Sequence, residues 1–304
     1  MSTYHYLDGS FNELRASAPY ESSNSVVSFS TSNVWEAGKL KRFGMNPLMK
    51  IYHYDGSLWS LSYDTTDGVL LSIKGINASD VWAGGSYASG NYWDAPPAML
   101  HYQGSAWAAS SLPVVGMGYG SIFGIMPLAT NNVFACGLTD IWGSSLFYQW
   151  NGATWSTIDC SKTDLNAMAL WAIDSNNVWL CGCDSFSEGV IVKYDGSHLT
   201  NVYTIFGSWL TAIHGSSANN IWAVGSGIIV HWDGLTWTSL PDPLGYGYYN
   251  GIWCFADNDV YIVGVNVYDD KYHFLHWDGL VLTDVYSTLA TLLPQVNNMS
   301  GIVS

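Results

Sequence analysis

The amino-acid sequence predicts an all-β chain, a single domain over residues 1–304 folded as a seven-bladed β-propeller of four-stranded antiparallel blades. Three observations carry this. The first is a repeat with a period of about 43 residues, the length of one four-stranded blade. The second is that 20 of the 24 acids are Asp, a turn former, and that 31 residues are Gly, a balance that favours many turns and few helices. The third is that 48% of the residues are hydrophobic and 15% aromatic, while only 11% are charged. No apolar run reaches the roughly 18–20 residues of a spanning helix, which excludes a helical membrane protein and leaves about half of the aromatic rings to pack between sheets.

The repeat is clearest over residues 210–237, LTAIHGSSANNIWAVGSGIIVHWDGLTW. It divides into four short strands rich in β-branched and aromatic residues, LTAIHG, IWAVG, IIVHW and LTWTSL, separated by Asn-Asn and Asp-Gly turn signals. An aliphatic-aromatic pair followed by Gly recurs at Val34-Trp35, Val81-Trp82, Val133-Phe134, Val178-Trp179, Ile221-Trp222 and Val260-Tyr261, with Gly38, Gly85, Gly137, Gly182, Gly225 and Gly264. The third turn ends in Gly56, Gly104, Gly152, Gly196, Gly234 and Gly279, and a Trp follows at 59, 107, 155 and 237. The first strands are expected near 25–30, 71–76, 121–126, 167–172, 210–215, 250–255 and 287–293. The seventh repeat comes from both ends of the chain: Asn297-Asn298-Met299 matches Asn219-Asn220-Ile221, and Asp8-Gly9 matches the third turn. Residues 287–304 plus 1–14 are therefore expected to share one blade and close the ring.

The order of strand, Gly, variable loop, strand ending in Tyr or Trp with Asp, then Trp resembles the kelch repeat of galactose-oxidase-like propellers. A tandem glycine of the kelch kind stands at Gly84-Gly85, whereas Gln103 and Asn151 replace Asp in two turns. The resemblance implies the propeller fold. The copper site of galactose oxidase does not carry over, because no matching Tyr, His and Cys constellation is present.

In a four-stranded blade the first and third turns share one face, and the second turn and the link to the next blade share the other. The first and third turns here are short and uniform, whereas second turns range from GSG to GSYASGNYWDAPP. Variation confined to one face of a rigid scaffold marks it as the candidate binding face. Its expected ligand-binding residues are Tyr87, Tyr92, Trp93, Asp94, Trp142, Phe186, Tyr246, Tyr248, Tyr268, Asp269 and Tyr272, with Tyr119, Phe206 and Tyr249 among further aromatics in the links. Rings interleaved with hydroxyls, amides and carboxylates suit glycans, and they suit protein contact equally well.

The expected first strands contain no Asp or Glu, which argues against paired-carboxylate glycoside hydrolysis at the channel. Two arginines, Arg15 and Arg42, are too few for a sialidase-like site. Lys74 and His214 are channel candidates for a base, with no triad order around them. His53, His101, His231 and His276 occupy one repeat position in different blades, so they cannot converge on a single metal and are expected to hydrogen-bond to a neighbouring strand. Cys136, Cys181 and Cys183 lack a partner set at zinc spacing, no EF-hand pattern surrounds Asp94 or Asp269-Asp270, and no cofactor or metal is expected. The net charge of −15 disfavours nucleic acid and anionic lipid, and the basic cluster Lys39, Lys41, Arg42 and Lys50 reads as a solvated loop.

These readings converge on a non-enzymatic binding or structural module. Its loop face is expected to contact glycan or protein on a virion, such as a phage structural or host-attachment component, or on another extracellular surface. No secretory signal is visible at the start of the sequence, and a cytoplasmic setting stays open. Two alternatives also stay open: a polysaccharide lyase or hydrolase acting near Lys74 and His214, and an intracellular kelch-like adaptor.

Overall fold

The structure is a computed structural model that describes residues 2–7, 10–16, 19–88, 95–139, 145–245, 247–266, 268 and 272–285, the first two segments as backbone only. Strands β1 (Ser2–Leu7) and β2 (Ser10–Ala16) form an antiparallel ladder of their own. Six four-stranded antiparallel sheets follow. Blade 1 holds β3 (Glu21–Ser30), β4 (Asn33–Leu40), β5 (Leu48–Tyr54) and β6 (Trp59–Tyr63). Blade 2 holds β7 (Gly68–Asn77), β8 (Asp80–Tyr87), β9 (Pro97–Tyr102) and β10 (Trp107–Ala109). Blade 3 holds β11 (Ser121–Ala129), β12 (Asn132–Leu138), β13 (Ser145–Trp150) and β14 (Trp155–Thr157). Blade 4 holds β15 (Asn166–Asp174), β16 (Asn177–Cys183), β17 (Gly189–Tyr194) and β18 (Leu199–Ile205). Blade 5 holds β19 (Leu210–Ser217), β20 (Asn220–Gly225), β21 (Ile228–Trp232) and β22 (Trp237–Leu240). Blade 6 holds β23 (Gly247–Ala256), β24 (Asp259–Asn266), β25 (Tyr272–Trp277) and β26 (Leu282–Asp284). The described residues contain no helix, and six of the seven expected first strands fall within β3, β7, β11, β15, β19 and β23, the seventh (287–293) lying outside the described residues. The expectation of seven blades meets six four-stranded sheets and the separate β1–β2 ladder, and residues 287–304, half of the expected terminal blade, lie outside the described residues.

The repeated glycine has a steric cause. Every first strand carries a register shift, between Ser23 and Ser25 in β3 and between Leu210 and Ala212 in β19, for example. The bulge pushes the first strand's backbone toward the second strand. A Cβ at Gly38, Gly85, Gly137, Gly182 or Gly225 would lie 1.8–1.9 Å from a carbonyl oxygen of the first strand or of the residue leading into it, so no side chain fits.

Packing runs between blades. Trp35, Met49 and Ile51 of blade 1 interlock with Leu70, Ile73 and Leu100 of blade 2, and Trp222 and Ile229 of blade 5 interlock with Cys254, Ile262 and Leu275 of blade 6. The aromatic of each Val-Trp-type pair in blades 1–5 reaches the next blade, as Trp82 does against Trp155 and Trp222 against Trp277. Trp82, Trp222 and Phe134 are fully buried. Full burial of a large apolar side chain contributes about 1.5–3 kcal/mol, so the inter-blade contacts contribute heavily to stability.

A polar unit repeats inside this apolar seam. Asn33 Oδ1 accepts hydrogen bonds from Trp35 Nε1 (3.1 Å) and His53 Nε2 (3.2 Å), and the indole and imidazole stack. Asn220 Oδ1 takes Trp222 Nε1 (2.8 Å) and His231 Nε2 (2.7 Å) in the same way. In blades 2 and 6 the acceptors are Asp80, bonded to His101, and Asp259, bonded to His276. In blade 3, Gln149 Nε2 donates to Asn132 Oδ1. The four equivalent histidines are thus each tied to the neighbouring strand of their own blade. Burial lowers the pKa of His53 and His231, which favours neutral rings.

Candidate functional site

Strand direction alternates within each blade, so second turns and inter-blade links emerge together on one face. The described residues of this loop face expose a set of large apolar side chains. They are Tyr20 ahead of β3, Phe43 and Met45 in the second turn of blade 1, Val114 and Met117 between blades 2 and 3, Phe186 in blade 4, Phe206 and Trp209 between blades 4 and 5, and Tyr268 in blade 6. Met117, Phe186 and Phe206 are 77–80% exposed.

Two grooves flank the link between β10 and β11 and share Val114 and Val115 as their common wall. One, of about 230 Å³, is lined by Tyr87, Pro96, Ser110, Pro113, Tyr119 and Tyr148 among others. Tyr148 O–H donates to Pro113 O at 3.2 Å, which pins the link to blade 3, and burial pushes that phenol up to about 12. The other, of about 1040 Å³, runs along Met117, Thr139, Thr157, Asp159, Ser161, Lys162 and Asp164. Asp159 receives the Ser161 N–H and has a pKa below the usual carboxylate range through bonds from that residue, so it presents a charged carboxylate. Asp164 accepts from Ser185 N and Oγ, which joins the second groove to the turn that carries exposed Phe186. Apolar surface bordered by hydroxyls and carboxylates is the chemistry of sugar and protein contact alike.

Of the residues expected on this face, Phe186 and Tyr268 stand exposed in second turns. Tyr87 ends β8 half-buried on the wall of the smaller groove, where burial raises its pKa. Tyr272 opens β25, and Tyr248 lies within β23 facing the central cavity, so both belong to strands and not to loop tips. Tyr249 is fully buried and its hydroxyl donates to Asp242. The Gly-Tyr-Gly-Tyr-Tyr run reads as a loop, but residues 247–249 continue the inner strand of blade 6. Tyr92, Trp93, Asp94, Trp142, Tyr246 and Asp269 lie outside the described residues. Sequence reasoning missed Phe43, Met45, Val114, Met117 and Trp209. Phe43 and Met45 sit in the segment read as a basic cluster, where Arg42 in fact pairs with Asp67, and Lys50 with Asp64 at 3.3 Å.

The central cavity, of about 660 Å³, is lined by the first strands of all six blades. No Asp or Glu is among its described lining residues. It brings Lys74 and His214 together beneath Trp253, with Lys74 Nζ 5.2 Å from the indole centroid and the His214 and Trp253 ring centroids 4.3 Å apart. Burial brings Lys74 down to about 8, and burial together with the Lys74 charge brings His214 down to about 3. Among the described residues no group of three His, Cys, Asp or Glu side chains is placed to hold a metal ion, and the five thiols are free. Burial pushes the Cys136, Cys181 and Cys254 thiols well up, as expected of inert core cysteines.

No family model matches this sequence. No curated protein matches it either. Solved structures do match. A chain of the mitotic checkpoint complex superposes with a TM-score of 0.60 at 12% identity, over 88% of this chain and 78% of that one. The SapL1 lectin in complex with alpha methyl fucoside gives 0.54 at 14% identity, over 87% and 94%. A GH74 xyloglucanase from Xanthomonas campestris gives 0.55 at 10% identity, over 84% and 45%. The neighbours are β-propellers. At such identities the likeness establishes the fold, and a lectin, a checkpoint component and a glycanase among the neighbours show how little the fold fixes function.

Proposed function

We propose that this protein is a non-enzymatic binding module that engages glycan or protein through its loop face. The observation that carries the reading is the set of exposed apolar side chains on that face, gathered around two grooves that also present hydroxyls and carboxylates. Exposed leucines also occur on the turn face, Leu235 and Leu280 among them, but the exposed Phe, Tyr and Trp rings of the described residues all stand on the loop face, and such a patch costs solubility unless a partner covers it. The lectin among the structural neighbours is in keeping with this reading. The absence of carboxylates from the described cavity wall supports a non-enzymatic role, as does the engagement of His214 Nδ1 by the Cys254 N–H at 3.2 Å.

The reading includes ring closure: residues 287–304 pair with β1 and β2 to complete a seventh blade. Support comes from Glu36 of blade 1 and Phe274 of blade 6, each 3% exposed on the side of its sheet turned away from the neighbouring four-stranded blade. A chain cut after residue 286 is expected to lose most of its thermal stability, and an unchanged Tm contradicts closure. The reading also includes display on an extracellular or virion surface. Recovery of the chain only from the soluble cytoplasm contradicts that setting.

The direct test is a glycan array run beside a protein pull-down, with wild type and with Tyr92→Ala/Trp93→Ala and Tyr119→Ala variants. Loss of a specific ligand in either variant is the expected result. Turnover of a polysaccharide that disappears in Lys74→Ala or His214→Ala would replace this reading with an enzymatic one.

A further inference from the structure

The central cavity holds a charge that the binding face does not use. Lys74 extends from β7 into a space walled mainly by apolar side chains, and among the described residues no carboxylate pairs with it. Among the described residues its ammonium lies over the face of Trp253, which attracts a cation but offers no hydrogen-bond acceptor. Taking an ammonium out of water without a counter-charge is costly, and cavities that keep such a group commonly meet an anion there.

His214, on β19, adds a second donor. Its Nδ1 accepts the Cys254 N–H at 3.2 Å, so the neutral ring carries its proton on Nε2. That N–H has no acceptor among the described residues, and the ring forms part of the cavity wall. An ammonium and an imidazole N–H therefore share one cavity, with aromatic faces from Trp253 and Trp171 beside them. Among the described residues the remaining titratable groups around them are Tyr248, Tyr261 and Cys254, none of them a carboxylate.

We infer that the central cavity is a second binding site, separate from the loop face, for a small carboxylate whose apolar or ring-shaped body lies against Trp253. One carboxylate oxygen meets the Lys74 ammonium and the other meets the His214 Nε2–H. A monoanion fits better than a phosphate ester. Among the described lining residues there is one cation and no arginine, so a second negative charge would stay unmatched. A volume of about 660 Å³ is within the range of small-molecule sites. The depressed basicity of Lys74 agrees with an ammonium that lacks its counter-ion.

The test is calorimetry on the full chain at pH 7 with benzoate and glucuronate, each against its amide. At least one carboxylate is expected to bind tenfold or more tightly than its amide. Lys74→Met is expected to abolish that preference and Lys74→Arg to retain it. Met117→Asp, on the loop face, is expected to leave it unchanged, which separates this site from the one proposed above. Equal binding of acid and amide, no binding of either acid, or full preference in Lys74→Met overturns the inference. Should Lys74→Met fail to fold, NMR of the wild-type Lys74 side chain decides: its pKa rises from about 8 when the preferred carboxylate is added, and an unmoved value overturns the proposal.

Discussion

The two faces of the propeller are made by the same strands and end them in opposite ways. On the turn face the third turns of blades 1, 3, 4, 5 and 6 are each closed by a side chain of their own. Asp55, Asp195, Asp233 and Asp278 each take two backbone N–H groups, from the residues two and three positions on, and Asn151 does the same in blade 3. Those hydrogen bonds hold the four carboxyls below their usual pKa. On the loop face Asp159, Asp184, Asp242 and Asn266 also take the N–H two residues on, but among the described residues the third turn's paired bonds to positions two and three on do not recur there. Segments differ in length, and they end on exposed rings and methionines. One face is therefore constrained by folding and the other is free to be shaped by a partner.

The largest effect expected from this contrast is the difference between a ring in the seam and a ring on the loop face. Trp222→Ala removes a fully buried indole between blades 5 and 6 and is expected to destabilise the chain by about 3–5 kcal/mol in denaturant titration. Phe206→Ala, at 80% exposure, is expected to change stability by less than about 0.5 kcal/mol. Comparable losses would erase the distinction.

Next in size is the polar unit. Asn220→Ala leaves the Trp222 and His231 donors unmatched in a buried setting, at an expected cost of about 2–3 kcal/mol. Asn220→Asp, the residue type that blades 2 and 6 use against their histidines, is expected to cost less.

A pH titration of stability sharpens the same point. His53, His231 and His214 have folded-state pKa values below 6.5, chiefly through burial, and His214 falls furthest, to about 3. The unfolded chain binds these protons first. Stability is thus complete above about pH 6.5 and is lost as pH falls toward the folded values. Urea midpoints at pH 7.5 and 5 are expected to show the lower value at pH 5, and Lys74→Met to reduce the dependence by releasing His214 from its neighbouring charge. A flat profile contradicts neutral buried histidines.

A smaller effect belongs to the turn face. Asp233→Ala is expected to lower Tm measurably but by less than Trp222→Ala or Asn220→Ala, since the turn is solvent-exposed and one of several alike.

What was legible in the sequence follows this division. The repeat located the inner strands because steric demands recur in every blade: Gly225 recurs since a bulged strand passes against it, and Trp222 since a neighbouring blade must be met. The equivalent histidines were readable as strand ties for the same reason. Loop residues carry no such recurrence. Tyr249 reads as a link residue, yet it is core, because aromatic content alone does not tell a loop from a strand that begins early. Val114 and Met117 went unnoticed because aliphatic residues in a Gly-rich link look like packing residues, and their exposure depends on how two blades splay the link.

Charge placed on one face and then the other tests the central claim most directly. Val114→Asp/Met117→Asp marks the loop face, and Leu235→Asp/Leu280→Asp marks similarly exposed positions on the turn face. With the partner identified by array or pull-down, the loop-face pair is expected to weaken binding at least tenfold at unchanged Tm, while the turn-face pair leaves it intact. Full binding by the loop-face pair, or loss confined to the turn-face pair, would contradict the assignment of function to the loop face.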